Sequence, residues 1–405
     1  MFNVEDIRKD FPMLINYPER VYFDNGATTF KPYSVINAVN EFYTKKTSNV
    51  HRGDYDISFM VSNEYDETRK VVADFINCEV NEVVFTSGAT ASLNQAAMYG
   101  LEHLKENDVI LTTLSEHASS ILPWFNVCSK TGAKIEYIKL DNEGKLDLDT
   151  FKTQMNENVK VVLIAHISNV LGHIHPIKEI SKIVHDYNGV LIVDGAQSVP
   201  HIKVDVKDMG IDMLAFSAHK MCGPSGIGIL YGRYDLLESM EPLIYGGGSN
   251  SRFLSCGNLY LKETPYKFEA GTPNIEGILG LKQAILYLNK IGMDNIHEYE
   301  VKLKNYMIEK LSELDNIEIY NPHVDTSIIS FNAKGVFAQD AGSFLNSRNI
   351  SVRSGNHCAK LLVDLINQND TVRASMYFYN TFEEIDRFIE AAKDISLENA
   401  IDIFF

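Results

Sequence analysis

Cysteine is scarce and unpatterned in this chain. Its five residues (Cys78, Cys128, Cys222, Cys256 and Cys358) form no CxxC pair and no even framework. That argues against a disulfide scaffold and leads us to expect a reducing, cytoplasmic setting with at least one free thiol. Positive charge is also in short supply: 37 Lys and Arg face 54 Asp and Glu, a net charge of −17, and no basic run occurs. A duplex nucleic-acid binder needs a basic face, so that class is set aside. No uninterrupted apolar stretch reaches the ~20 residues of a membrane helix, so no membrane association is expected. The opening MFNVEDIRKD carries acids and no apolar core, so a secretory signal is not expected either. No internal repeat or low-complexity segment is present. The chain is 45% hydrophobic and 22% charged over 405 residues. Those values describe a soluble globular protein long enough for two domains.

Between residues 83 and 216 short apolar runs alternate with helix-length intervals. The pattern predicts strands over 83–86, 109–112, 134–138, 159–167, 191–193 and 213–216. Such alternation builds βαβ units and a largely parallel sheet, so the fold class is α/β. Ahead of it, 58–76 has helical spacing of apolar residues. After residue 231 the character changes. Residues 246–267 read as a loop, FEAGTPN (268–274) precedes a long helical pattern, and strands are expected at 317–320, 327–332, 350–353 and 371–377. A helix is expected near 339–348, and Thr381 to Glu384 forms a capping box that opens the last helix. We therefore expect a large domain over 21–290. A smaller α+β domain is expected from 1–20 and 291–405.

In parallel sheets ligands sit beyond the carboxyl ends of the strands. His117, Asn169, Asp194 and Lys220 each fall just past such an end. A lone lysine is nearly always a surface charge, but Lys220 follows MLAFSAH and precedes MCGPSGIG, a setting that favours burial. Burial lowers an amine's pKa and prepares it for Schiff-base chemistry. Asp194, after LIV, is either a helix cap or an acid partner for a protonated ring nitrogen. An amine and a counter-ion on adjacent strands suit pyridoxal phosphate (PLP). SGAT (Ser87–Thr90) suits phosphate capture by backbone N–H groups at a helix start. His117 is by itself an ordinary structural histidine; at this edge it can stack on a flat ring. Arg373, in TVRAS, is either half of an edge-strand ion pair or a bidentate grip on a carboxylate. Cys358 lies in SGNHCAK, a polar turn unlike a core site, where positive charge from His357 and Lys360 is expected to lower the thiol pKa. A metal site from His357, Cys358, His173 and His175 lacks any recognised ligand spacing, so no metal is expected.

These residues resemble the PLP-dependent cysteine desulfurases with an RxGHHCA-type motif, in the class V aminotransferase superfamily. The match runs from FDNGATTFKP through VHRGDYDIS, TSGAT, SEHASSILPW, ISNVLGHIHP, VDGAQSVPH, FSAHKMCGPSGIGILYG and FEAGTPN to RSGNHCAK and TVRASMYFYNT. The resemblance implies a fold type I PLP enzyme with a mostly parallel seven-stranded sheet. It implies that Lys220 holds PLP and moves the substrate Cα proton, that Asp194 pairs with the ring nitrogen, and that Gln197 bonds the ring oxygen. His117 stacks on the ring, while Ala89, Thr90, Ser217 and His219 hold the phosphate. Thr272 reaches the active site of the neighbouring subunit in a homodimer. Asn169 and Arg373, supported by Arg353, orient the substrate carboxylate, and Cys358 takes sulfur from L-cysteine as a persulfide, leaving L-alanine. A sulfur-acceptor protein and iron–sulfur cluster assembly are the implied context. A selenocysteine lyase or another class V PLP enzyme is the alternative. The chain departs from the family pattern at Asn356 (the first motif histidine), Ala118 (a second histidine after His117), Cys222 (an aromatic) and Gly26 (an alanine).

Overall fold

Seven apolar segments, nearly all of them buried on both faces, make the central sheet: β1 (Val83–Thr86), β2 (Val109–Thr112), β3 (Lys134–Tyr137), β4 (Val159–Ala165), β5 (Val190–Asp194), β6 (Met213–Ser217) and β7 (Gly228–Gly232). A computed structural model describes residues 2–141, 143–366 and 368–402. The strand order is β1-β7-β6-β5-β4-β2-β3, parallel except for β7, which runs antiparallel to β1 and β6. Alternate side chains serve two cores. Val162, Ile164, Leu191 and Val193 face one, and Val161, Leu163 and Ile192 face the other. Continuous runs such as VVLIA are what a sheet covered on both sides requires. Helices α1 (Asp56–Ile76) and α5 (Ile275–Ile291) cover one face; α2 (Ala89–His103) and α3 (Ala118–Thr131) cover the other. Helix α4 (Ile177–Asp186) joins the first pair.

One strand of the central sheet falls outside the predicted set. β7 lies in GIGILYG, only a short turn after Lys220, with no helix before it. An antiparallel neighbour needs no crossover, so strand–helix alternation could not reveal it. It passes so close to the β1–α2 turn that a Cβ at Gly228 would sit 2.4 Å from Gly88 backbone atoms.

The second sheet is antiparallel throughout, in the order β10-β11-β13-β12, from β10 (Ile317–Ile319), β11 (Ile328–Ala333), β12 (Arg353–Gly355) and β13 (Thr371–Ser375). The strand expected over 350–353 divides: Ile350–Ser351 pairs in parallel with Val21–Tyr22, and Arg353 begins β12. The apolar pattern marks extended chain but does not say which neighbour it pairs with. Val21 and Phe23 pack in the core of this second sheet. We infer that the two units join at Gly292 (φ +93), between α5 and α6 (Met293–Ser312), with the strand at 21–22 contributed to the smaller unit. The expected loop at 246–267 contains a hairpin, β8 (Asn250–Phe253) with β9 (Leu259–Leu261). Its side chains are largely exposed, Phe253 at 73%, so no buried face imprints an alternating pattern. The Thr381–Glu384 capping box forms as expected at the start of α8 (Phe382–Lys393), α7 being Ala338–Ser347.

One buried ion pair ties α1 to the FEAGTPN segment. Arg69 donates to both carboxylate oxygens of Glu269 at 2.7 Å and to the Val83 carbonyl at 2.6 Å, with its guanidinium 4.4 Å from the Phe85 ring centroid. Removing one partner strands the other charge in the interior. Arg69→Ala is therefore expected to lose about 3–5 kcal/mol of stability by denaturant titration. A loss below about 1 kcal/mol would show that water solvates Glu269 in its place.

Candidate active site

The carboxyl ends of β4, β5 and β6, the start of α3 and the edge of the second sheet enclose a cavity of about 250 Å³. Ala89, Thr90, His117, Asn169, Asp194, Gln197, Ser217, His219, Lys220, Arg353, Cys358 and Arg373 all line it. Thr272 does not. It is exposed and lines a separate recess with Ser87 and Ala91.

Lys220 ends the short turn that follows β6. Burial pushes its ammonium pKa down to about 8; Asp194 opposes the shift, and Arg373 and Arg353 add to it. Asp194, the last residue of β5, is held at both oxygens: Oδ2 accepts from the Ser120 hydroxyl (2.8 Å) and Oδ1 from the Ala196 N–H (2.9 Å). His117 caps α3, its Nδ1 accepting the Ser119 N–H at 3.1 Å. That bond puts the proton of the neutral ring on Nε2. Burial and Lys220 hold its pKa below the usual histidine value, so the ring is an uncharged flat surface at pH 7.

Helix α2 begins at Ala89 after Gly88, and its N-terminus opens on the cavity. The Ala89 N–H donates to the Ser217 hydroxyl (2.7 Å), and the Thr90 and Ser119 hydroxyls share a hydrogen bond (2.8 Å). A helix start with hydroxyls around it suits a phosphate dianion. His219 is neutral at pH 7: burial and Lys220 push it down to about 4. Its carbonyl accepts from the Thr28 hydroxyl (3.0 Å) and the Thr29 N–H (3.0 Å). Gln197 donates from Nε2 to the Gly26 carbonyl at 2.8 Å, while its buried Oε1 has no partner among the described residues. The set holds an amine, a counter-ion, a flat imidazole, an anion cup and an unsatisfied carboxamide. It fits PLP.

The opposite wall comes from the second sheet. Arg373 on β13 is buried, giving one Nη to Asp24 (3.1 Å) and the other to the Asn169 carbonyl (2.9 Å). The ion-pair reading of this arginine is thus realised while the side chain still borders the cavity. A Cβ at Gly26 would stand 3.1 Å from its guanidinium carbon, so an alanine there would need a small shift of Arg373. Asn169 also donates from Nδ2 to the His357 carbonyl (2.9 Å).

Cys358 is exposed, with its Sγ 3.9 Å from an Arg353 nitrogen. His357 does not carry the charge expected of it. That ring is buried, its Nε2 lies 2.9 Å from the Thr371 hydroxyl, and burial with the nearby arginines pushes its pKa down to about 3. The cation beside the thiol is Arg353. His357 (φ +51) and Cys358 (φ +59) are both left-handed, a strain of order 1–3 kcal/mol each. Docking offsets it: the Cys358 carbonyl accepts from the Ala118 N–H at 2.7 Å.

One buried acid escaped the sequence reading. Glu116 accepts from the Thr113 hydroxyl (2.8 Å) and the Ala165 N–H (3.1 Å), bracing the turn that carries His117 against β4. Burial and the Asp194 charge raise its pKa to about 8. Only its place beside His117 hinted at this. Among the described residues no group of three or more His, Cys, Asp or Glu is placed to hold a metal ion.

Residues 21–388 match the aminotransferase class-V family. The chain is 41% identical to a probable cysteine desulfurase of Halalkalibacterium halodurans over 389 residues, covering 95% of this chain and 96% of that one. It is 43% identical to a probable cysteine desulfurase of Pyrococcus abyssi, covering 96% and 97%. The structure superimposes on a cysteine desulfurase from Thermococcus onnurineus NA1 with a TM-score of 0.92 at 42% identity, covering 96% of this chain and 97% of that one.

Proposed function

Because the chain belongs to the class V aminotransferase family, among the cysteine desulfurases, we propose that it holds PLP on Lys220 and passes sulfur from L-cysteine to Cys358. The observation that carries this reading is that Lys220 and Cys358 line one cavity from opposite units of the fold. When bound, PLP supplies an electron sink for negative charge at the substrate Cα.

The chain's own residues do the rest. Lys220 holds the cofactor covalently and, once released from it, takes the substrate Cα proton onto its Nζ. Asp194 keeps the ring nitrogen protonated, and the neutral face of His117 covers the ring. Ala89, Thr90, Ser217 and His219 bind the phosphate. The Arg373 guanidinium and Asn169 orient the substrate carboxylate, with Arg353 in support. The Cys358 thiolate attacks the substrate sulfur: an S–S bond forms, the Cβ–S bond breaks, and its electron pair with a proton stays on carbon. One L-cysteine and one thiol become one L-alanine and one persulfide, so no external oxidant is needed. A thiolate suits this step because the electrophile is soft sulfur.

Three further readings rest on the family. Thr272, remote from its own cavity, reaches the phosphate of a second copy in a homodimer. The persulfide passes to an acceptor protein that feeds iron–sulfur assembly. The protein works in the cytoplasm.

The depressed amine gives a pH prediction. Cofactor capture needs neutral Lys220, whose fraction rises with pH through about 8. The rate of PLP uptake by the cofactor-free protein should rise to a plateau above that value. A rise continuing toward ~10.5, the ordinary lysine range, would show that Lys220 is solvated. The assignment itself is tested by assaying the PLP-loaded protein on L-cysteine, with alanine and reductant-released sulfide expected in equal amounts. Turnover of selenocysteine alone would favour the lyase.

A further inference from the structure

The turn that carries Cys358 is unusual for its sequence. The Asn356 carbonyl accepts the Ala359 N–H at 2.9 Å across two positive-φ residues, His357 and Cys358. This is the pattern of an I′-type turn, whose central positions favour Gly, Asn or Asp. Here they hold a histidine and the proposed nucleophile, so side chains must stabilise what the backbone disfavours. His357 is anchored by its ring to Thr371 and by its carbonyl to Asn169. At Cys358 the carbonyl is taken by Ala118, and the N–H by the Asn356 side-chain oxygen at 3.1 Å. That last bond is the only one of the set made by a side chain of the turn to the cysteine itself. It comes from the position where this chain departs from the motif of the proteins it resembles.

We propose that Asn356 is a positioning residue for Cys358, its side-chain carbonyl locking the left-handed turn that aims the thiol into the cavity. The inference rests on the reading of Cys358 as sulfur acceptor and adds the device that aims it. Alanine at 356 removes the acceptor, frees the Cys358 N–H and lets the turn relax toward ordinary backbone conformations. The thiol then stays chemically intact but misdirected.

The test compares Asn356→Ala and Asn356→Asp with wild type in a Cys256→Ser background, which removes the other exposed thiol. Three quantities are read: L-cysteine binding from the cofactor spectrum, single-turnover sulfur transfer to Cys358, and iodoacetamide alkylation of Cys358 in the cofactor-free protein. For Asn356→Ala we expect unchanged binding, transfer slowed by about 10- to 100-fold, and alkylation as fast as wild type or faster. Asn356→Asp keeps an acceptor for the Cys358 N–H and should recover most of the transfer rate. Wild-type transfer in Asn356→Ala, alkylation falling in step with transfer, or Asn356→Asp as slow as Asn356→Ala would each overturn the proposal. Cys358→Ala run alongside separates the two levels. If that variant still turns over fully, the sulfur-acceptor reading has failed; if it is inactive, any failure belongs to Asn356 alone.

Discussion

Cys358→Ala is expected to fold, bind PLP and bind L-cysteine, and yet to lose sulfur transfer by about 10³-fold or more. The side chain is exposed and makes no core contact, so its removal should change stability by no more than about 0.5 kcal/mol. In the proposed mechanism every step before sulfur transfer uses other residues: Lys220, Asp194, His117 and Asn169 at the strand ends of the central sheet, and Arg373 on the second sheet. The variant should therefore show the spectral change of substrate binding and then stall. The assay contains a thiol reductant, so that a slow release of sulfide is not mistaken for loss of the first step. Full turnover under those conditions would mean that sulfur leaves without passing through this thiol.

The second large effect is expected at Lys220. Lys220→Ala should lose covalent cofactor attachment altogether, and with it activity by about 10³-fold or more. Borohydride should fix PLP to the wild type and not to the variant. The phosphate cup and Asp194 remain, so PLP should still associate reversibly. Replacing an amine whose charged form is disfavoured by burial should not lower the stability of the cofactor-free protein. Stable covalent PLP in Lys220→Ala would move the attachment to another amine. Lys31 is the one to examine first, because its Nζ lies 3.3 Å from the His219 carbonyl.

The positions of these groups were legible in the sequence because the parallel sheet has simple rules. Strands buried on both faces show as continuous apolar runs, and ligands gather at their carboxyl ends, so His117, Asn169, Asp194 and Lys220 could be placed together from spacing alone. β7 was not legible, because it joins the sheet without a helical crossover. The hairpin at 250–261 left no trace, having no buried face. Side-chain protonation was the harder part. His357 looks cationic beside Cys358 in the sequence, but it is buried against Thr371 and neutral, and Arg353, five residues upstream, supplies the charge. Glu116 was hidden for the opposite reason. Acids are usually exposed, and nothing local marks one that closes behind β4. Arg373 carried both of its readings at once, since it pairs with Asp24 and borders the cavity.

The central claim is that sulfur from L-cysteine becomes covalently attached to Cys358 as alanine forms. Its most direct test is a single turnover of the PLP-loaded protein in excess over L-cysteine, without reductant, followed by mass analysis of the Cys358 peptide and quantitation of alanine. The account predicts one added sulfur atom on Cys358 for each alanine formed, removed again by reductant. Alanine in full yield with an unmodified Cys358 peptide would contradict it.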